Sequence, residues 1–229
     1  MHVQLSESVR IEFAGMPKSG KTTVMDVLSH YLRRVGLPVA EFHGGGRYAP
    51  IGKSDLGRLN LYLACEAVRY CVSTHAEGSA PRIHLLDRGP VDRTLFTRTL
   101  LSMGRVTPAH AETVERLVDI PELRDEIAVC FVFTTSPKVS LAREAANKLT
   151  TEQGRVMSDA FLTGLRGTAL RFTEEHTRTN CAQRVVAVDT EAMNGRITQT
   201  ARQVLEPITA LLREQGVHLP PPADNGGRP

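Results

Sequence analysis

The apolar positions of this chain follow two spacings that alternate along its length. Short continuous apolar runs predict buried strands, and EIAVCFVFTT at residues 126–135 is the clearest of them. Apolar residues three and four positions apart predict amphipathic helices, as in residues 21–35, which Gly36 and Pro38 terminate. By these rules the strands lie at residues 9–15, 38–42, 82–89, 126–135 and 184–190, and the helices at residues 21–35, 55–72, 90–103, 108–120, 136–149, 158–176 and 197–215.

This alternation predicts an α/β fold in which helices cover both faces of a parallel sheet. No repeat and no second-domain boundary interrupts the pattern, so residues 1–216 are predicted to form one domain. Residues 217–229 are rich in Pro and Gly, which predicts a disordered tail that buries almost no apolar surface. The first strand contains the charged residues Arg10 and Glu12, so its early part is expected to protrude from the sheet.

Composition and charge narrow the classes of function. The 229 residues are 41% hydrophobic and 23% charged, as in an ordinary globular protein. No apolar run is long enough to span a bilayer and no secretory signal is recognised, which predicts a cytoplasmic protein with no membrane partner. The net charge of +3 comes without a stripe of Lys and Arg, so no nucleic-acid partner is expected. The four cysteines form no CxxC pair and are interpreted as free thiols.

The stretch FAGMPKSGKTT at residues 13–23 matches the phosphate-binding pattern G-x-x-x-x-G-K-[ST], the Walker A motif. It has the required context, with a predicted strand before it and an amphipathic helix after it. Its glycines let consecutive N–H groups converge on phosphate oxygens at the N-terminus of the helix. The motif therefore predicts a bound nucleoside triphosphate, with Lys21 on its phosphates and the Thr22 hydroxyl on Mg²⁺. The predicted nucleotide-binding residues are Gly15, Met16, Pro17, Lys18, Ser19, Gly20, Lys21, Thr22 and Thr23.

A charged pair, Asp87 and Arg88, ends the third predicted strand. Ligands of open parallel sheets bind at the carboxyl ends of the strands, so both side chains are expected beside the Walker A loop. The carboxylate can hold Mg²⁺ through its water shell, and the guanidinium can clamp a phosphate or orient an acceptor. The alternative is a surface pair that caps the next helix. Asp92, one turn further on, is expected to cap that helix or to hold Arg88.

A basic segment follows the fourth predicted strand, where Arg143, Lys148 and Arg155 flank ANKLTTEQGRVM. Arginines on a flexible segment can supply the counter-charges of phosphoryl transfer and can close over the site as a lid. The alternative interpretation is a solvated polar loop.

Two proton acceptors lie in EFHGGGR, after the second predicted strand: Glu41 and His43. Either could take the proton of an acceptor hydroxyl, and the glycines allow a close approach of the backbone to a ligand. The alternative is a flexible connector with an incidental histidine.

Together these features resemble the thymidylate kinase-like branch of the nucleoside and nucleotide kinases, over roughly residues 9–212. The resemblance rests on the order of the Walker A motif, HGGGR, LNLYLACEAVRY, DRG and VDT. It implies a P-loop NTPase three-layer fold with a five-stranded sheet in the order 2-3-1-4-5 and a helical lid. It also implies ATP as donor with Mg²⁺, residues 189–195 near the adenine, and two further matches. Asp87 and Arg88 would match the DR pair of the family, and Arg143 and Arg155 would match its lid arginines.

The departures from the family pattern all fall on the acceptor side. This chain has HGGG at the position where the thymidylate kinase pattern has E-P-G-G, so the acidic residue of that pattern is missing or is shifted to Glu41. Pro17 replaces an Asp that touches the sugar, and Glu66 and Ala67 stand where the A-D-R triplet has its acid and its substrate arginine. These changes leave dTMP in doubt as acceptor and favour a hydroxyl over a monophosphate.

The leading interpretation is an ATP-dependent kinase whose partner is a small-molecule acceptor: a nucleoside, a nucleotide or a similar compound. A kinase of a non-nucleotide alcohol such as a natural product is the second, and a P-loop ATPase or regulatory nucleotide-binding protein is the third. Such ATPases usually carry a glutamate after the strand-three Asp, where this chain has Arg88, which favours transfer over hydrolysis. The number of subunits is left open, with a homodimer among the alternatives.

Overall fold

The computed structural model of the protein describes residues 5–47, 49–147, 156–179, 184–191 and 196–222. Within them the strands are β1 (Val9–Gly15), β2 (Val39–His43), β3 (Ile83–Asp87), β4 (Ile127–Thr134) and β5 (Arg184–Asp189). The helices are α1 (Lys21–Arg34), α2 (Leu56–Ser73), α3 (Pro90–Ser102), α4 (Pro108–Val118), α5 (Pro121–Arg124), α6 (Pro137–Asn147), α7 (Asp159–Thr179) and α8 (Ile197–Glu214).

All five strands are parallel and lie in the order β2-β3-β1-β4-β5, which confirms the predicted fold and strand order. On one face, α1 and α8 pack against the aromatic side chains Phe13, Phe131 and Phe133. On the other face, α3 and α7 pack through residues such as Leu95 and Leu165. The two apolar layers hold the central strands rigidly, so the loops at their carboxyl ends start from fixed positions.

β1 is buried along its whole length, contrary to the prediction that its charged early part protrudes. The Arg10 guanidinium donates to the Thr74 hydroxyl and lies 3.5 Å from the Glu126 carboxylate. Glu12 is fully buried and accepts hydrogen bonds from backbone N–H groups of α3. The prediction is wrong because partners from other elements satisfy the polar atoms of both side chains inside the protein, which makes their burial tolerable.

Register places the carboxyl ends of three strands side by side. Asp87, the last residue of β3, pairs with Phe13 on one side and with His43 on the other. Gly15, the last residue of β1, pairs with Phe133 of β4. The Walker A loop, the DR pair and the glycine-rich loop after β2 therefore leave the sheet at one edge.

The chain beyond α8 packs onto the domain where the structure describes it. Val217 is buried in the core layer of α1 and α8, and Leu219 packs against the same layer. The Tyr31 hydroxyl donates to the Pro220 carbonyl oxygen at 2.5 Å. This differs from the expectation that the chain after Gly216 has almost no apolar surface to bury. Residues 223–229 lie outside the described part of the chain.

Among the described helices, none combines the length and the apolar character needed to cross a membrane.

Candidate active site

The Walker A loop adopts a backbone that depends on left-handed residues. Gly15, Lys18 and Gly20 have φ angles of 108°, 56° and 94°. A Cβ atom at Gly15 would lie 2.2 Å from the Phe133 carbonyl oxygen, so only glycine fits at that position. Lys18 is a lysine in a conformation that costs a non-glycine residue about 1–2 kcal/mol. Its surroundings must therefore hold it there.

The Gly15 and Met16 carbonyl groups accept hydrogen bonds from side chains of the loop itself. The Lys21 ammonium donates to the Gly15 carbonyl at 3.1 Å and to the Met16 carbonyl at 2.5 Å. The Ser19 hydroxyl donates to the Met16 carbonyl at 2.8 Å. Among the described residues, no hydrogen bond occupies the N–H groups of Lys18, Ser19 or Gly20. The loop thus keeps these donors available for an anion.

Lys21 is almost completely buried. Burial and, to a lesser extent, the Arg88 guanidinium lower the pKa of its amine to about 7, although Asp92 and Asp87 oppose the change. A buried cation with incomplete compensation gains from a nearby anion. Phosphate oxygens are the ligand that this combination of Lys21 and backbone N–H groups accommodates.

Thr22 and Asp87 form the second part of the site. The Thr22 hydroxyl donates to Oδ2 of Asp87 at 2.6 Å, and Oδ1 of Asp87 is buried without a hydrogen-bond partner. The Thr22 hydroxyl and the Asp87 carboxylate, one oxygen of which lacks a partner, are hard oxygen ligands. This ligand chemistry fits a Mg²⁺ ion held together with water and phosphate oxygens. Within the described residues there is no group of three or more His, Cys, Asp and Glu side chains suited to a metal ion.

Arg88 follows Asp87 in a left-handed conformation, with φ of 71°. Its side chain is mostly buried, pairs with Asp92 at 3.0 Å and lies over the Phe96 ring, 5.1 Å from its centroid. A Cβ atom at Gly44 would lie 2.2 Å from the Arg88 carbonyl oxygen. The first glycine of HGGG is therefore required by the close approach of the Arg88 backbone.

Asp92 is fully buried and accepts hydrogen bonds from several residues. One of them is Arg88, in agreement with the prediction that Asp92 holds this arginine. Oδ1 of Asp92 accepts the Gly15 N–H at 2.8 Å, and its Oδ2 accepts from both Arg88 and Arg93. Burial alone would raise the pKa of the Asp92 carboxyl, but Arg88 and then Arg93 lower it below its ordinary value. One carboxylate thereby links the first residue of the Walker A loop to the arginine of the DR pair.

Sequence reasoning missed two charged residues behind the Asp92 carboxylate, namely Glu12 and Arg93. Glu12 accepts the N–H groups of Val91 at 3.1 Å and Asp92 at 2.8 Å, so a side chain from β1 caps α3. Burial raises the pKa of the Glu12 carboxyl to about 8, and these two hydrogen bonds oppose the rise. Arg93 lies over the Phe96 ring at 4.9 Å and donates to the Asn60 side-chain oxygen. The only sequence signal was a charged residue within an apolar strand.

The two proton acceptors after β2 differ in their surroundings. Glu41 accepts from the Ser29 hydroxyl at 2.5 Å and pairs with Arg33 at 2.9 Å. The hydrogen bond from Ser29 lowers the pKa of the Glu41 carboxyl. His43 lies between Glu41 and Asp87, at 3.5 Å and 4.0 Å from their carboxylate oxygens, and it lines the cavity that Glu41 does not line. His43 is therefore the better placed of the two toward a ligand.

A cavity of about 810 Å³ joins these parts. One end is formed by the Walker A loop and the other by the glycine-rich loop after β2. Its remaining lining residues include Arg47, Asp87, Arg88, Arg143, Thr190, Ile197 and Thr200. A second cavity of about 900 Å³ lies between α3, α4 and α7, and its charged lining residues Arg98, Arg116 and Arg124 pair with neighbouring carboxylates. The first cavity is the candidate site, because it alone of these two contains the Walker A loop.

The basic segment after β4 is described only in part. Arg143 lies on α6 and donates to the Lys18 carbonyl oxygen at 3.0 Å and to the Thr190 hydroxyl at 3.4 Å. Lys148 and Arg155 lie outside the described residues. The sequence-based prediction of Arg155 as a lid arginine therefore stays a prediction.

The positions on α2 that differ from the family pattern do not reach the cavity. Ala67 is fully buried, and Glu66 pairs with Arg69 at 2.8 Å on the exposed side of the helix. These two positions therefore do not line the candidate cavity.

No family model matches this chain, and no curated protein sequence matches it. Solved structures do match it. The deoxyadenosine kinase from M. mycoides, with products dCMP and a flexible dCDP bound, is 11% identical with a TM-score of 0.65, and the match covers 88% of this chain and 100% of that chain. The thymidylate kinase from Candida albicans is 14% identical with a TM-score of 0.62, over 91% of this chain and 94% of that chain. Both neighbours are P-loop kinases of the deoxynucleoside and thymidylate kinase superfamily, and at these identities the likeness establishes the fold.

Proposed function

We propose that this protein is an ATP-dependent kinase that transfers a phosphoryl group to the hydroxyl of a nucleoside or a similar small molecule. The observation that supports it most is the pairing of Thr22 with Asp87 at 2.6 Å beside a Walker A loop with available N–H groups. The fold is that of kinases acting on nucleosides and nucleotides, which agrees with the proposal.

The residues of the donor end have separate roles in this proposal. The N–H groups of the loop and the Lys21 ammonium bind the phosphates. Thr22 and Asp87 would hold Mg²⁺, which when bound neutralises phosphate charge. Arg88, which lines the cavity beside Asp87, would supply counter-charge to the transferring group, with Arg143 and Arg155 as further counter-charges. Met16, Pro17 and Thr23 complete the nucleotide-binding segment.

The reaction is a displacement at the γ-phosphorus. The acceptor oxygen forms a new P–O bond as the bond to the ADP oxygen breaks, and the hydroxyl proton passes to a base. Glu41 and His43 are the candidates for that base, and His43 has the better placement because it lines the cavity.

The charges at the acceptor end favour a hydroxyl over a monophosphate, which carries about two negative charges near neutral pH. Arg88 is already paired with Asp92, and Asp87 and the nearby Glu41 contribute negative charge around His43. Arg47 is the other described arginine at this end of the cavity. Arg47 alone adds little positive charge to balance the phosphate of a monophosphate acceptor, which would be bound in addition to the phosphates of ATP.

The test compares kcat/KM with MgATP for a panel of nucleosides, their 5′-monophosphates and non-nucleoside alcohols. A nucleoside or another alcohol is expected to be preferred over every monophosphate. Preference for a monophosphate would overturn the hydroxyl assignment, and absence of transfer with every acceptor would overturn the kinase assignment. Lys21→Ala is the inactive control, because it removes the phosphate-facing cation.

A further inference from the structure

Three side chains of α6 contact the Walker A loop. The Ser140 hydroxyl donates to the Pro17 carbonyl oxygen at 2.7 Å, and Ser140 is fully buried. One turn further along α6, the Arg143 guanidinium donates to the Lys18 carbonyl oxygen at 3.0 Å, and Glu144 pairs with the Lys18 ammonium at 2.8 Å. Both carbonyl groups are thus held against α6.

These two hydrogen bonds fix the direction of two N–H groups. In a planar trans peptide the C=O and N–H bonds point in opposite directions, and the structure contains no cis peptide bond among its described residues. When the Pro17 carbonyl points to Ser140, the N–H of Lys18 points away from α6. When the Lys18 carbonyl points to Arg143, the N–H of Ser19 does the same. Both N–H groups then point away from α6. Lys18 and Ser19 line the cavity, and neither N–H group has a hydrogen-bond partner among the described residues.

The loop needs this external support at Lys18. Its φ of 56° is unfavourable for a lysine, and the preceding Pro17 has no N–H group that could hold the turn. The side chains of Lys21 and Ser19 secure only the carbonyl groups of Gly15 and Met16. The next two peptide groups depend on α6.

We infer that Ser140 is a positioning residue for polyphosphate binding, acting with Arg143 by holding the peptide groups of Pro17 and Lys18 with their N–H groups toward the ligand. The inference rests on the proposed function, since it takes the ligand of the loop to be a triphosphate. Ser140 does not line the cavity, and its hydroxyl is occupied by the hydrogen bond to the Pro17 carbonyl oxygen. It therefore acts on the ligand only through the loop.

The test measures the Kd of inorganic tripolyphosphate with Mg²⁺ and the Kd of adenosine for wild type and Ser140→Ala. Loss of the hydrogen bond that orients the Lys18 N–H group is expected to weaken tripolyphosphate binding about fivefold to tenfold, with adenosine affinity unchanged. Ser140→Cys, which retains the volume and a weak donor, is expected to lie between the two proteins and serves if the alanine variant does not fold. The matched control is Thr99→Val, which removes another buried hydroxyl donating to a backbone carbonyl, that of Leu95 on α3.

The outcomes separate the two proposals. Equal tripolyphosphate affinity in wild type and Ser140→Ala would overturn the positioning role while leaving the kinase proposal intact. A parallel loss of tripolyphosphate and adenosine affinity, or the same loss in Thr99→Val, would mean a general structural effect and would also overturn it. A wild-type protein that binds neither tripolyphosphate nor MgATP would overturn both.

Discussion

The two ends of the cavity use different parts of the chain to meet a ligand. At the Walker A end the donors are mainly backbone N–H groups, and their directions are set by φ angles and by hydrogen bonds to the carbonyl groups behind them. At the other end the groups are side chains on the edge strand β2 and the loop after it, where Glu41 and His43 are partly exposed. Backbone donors tolerate few changes of sequence, whereas a side-chain site can change its charge by single substitutions.

The largest expected effect is at the backbone end. Lys21→Ala should lower kcat about a thousandfold, because it removes the cation that stabilises the transferring group. The melting temperature should stay the same or rise, because burial of the Lys21 amine is unfavourable, as its lowered pKa indicates. Turnover and thermal unfolding are measured on the same preparation. Unchanged turnover would remove the basis for the kinase assignment.

Asp87→Asn tests the point where the two ends meet. The amide keeps the size of the carboxylate but not its charge, so activity should fall about a hundredfold. Titration of Mg²⁺ against activity should show a higher requirement in the variant. An unaltered requirement would assign Asp87 to structure alone.

His43→Gln tests the side-chain end. Glutamine retains a polar group beside Glu41 and Asp87, so kcat/KM for the acceptor should fall about tenfold while KM for ATP stays the same. If KM for ATP rises as much as kcat/KM for the acceptor falls, His43 does not act separately on the acceptor, and the proposed division of the cavity into two ends is wrong.

Glu12→Gln tests the support behind the Walker A end through its pH dependence. The pKa of Glu12 is about 8 in the folded protein and 4.5 in its ordinary state. The stability linked to this proton is complete below pH 4.5 and is lost as the pH rises through 8. Between about pH 6 and pH 9 the free energy of unfolding of wild type should therefore decrease relative to the variant, by about 1 kcal/mol or more. Urea unfolding of both proteins at the two pH values measures it, and a constant difference would contradict the assigned pKa.

The smallest effect is expected far from the cavity. Truncation after Gly216 removes buried Val217 and the hydrogen bond from Tyr31, and should lower the melting temperature by about 2–4 °C. Truncation after Pro222 is the matched control and should leave it unchanged. Equal melting temperatures for the two truncations would show that residues 217–222 contribute nothing to stability.

The sequence located those parts of the candidate cavity in which local sequence determines local geometry, and the roles of these residues stay predictions. Gly15 to Thr23 could be assigned because the motif, the preceding strand and the following helix are contiguous. Asp87 and Arg88 could be assigned because an apolar strand leads directly to them. The strand order followed from the resemblance, and the structure confirms it.

The parts that the sequence did not predict depend on contacts between distant segments. Glu12 and Arg10 were expected to protrude because their partners, Asp92 and Thr74, come more than sixty positions later in the chain. Val217 was expected in a tail because only α1 and α8 together form the layer that buries it. Ser140 carried no signal, since one serine in an amphipathic helix is ordinary until its carbonyl partner is known.

The short distance between Gly89 and the Glu12 side chain limits which substitutions positions 12 and 89 can accept during evolution. A Cβ atom at Gly89 would lie 2.9 Å from the Glu12 carboxyl group, so a larger residue at position 89 requires the side chain at position 12 to move or to be shorter. A shorter acid at position 12 would in turn leave the N–H groups of Val91 and Asp92 without their acceptor. In diverging lineages the two positions should therefore be exchanged together, with a side chain at position 89, such as serine, taking over the cap of α3.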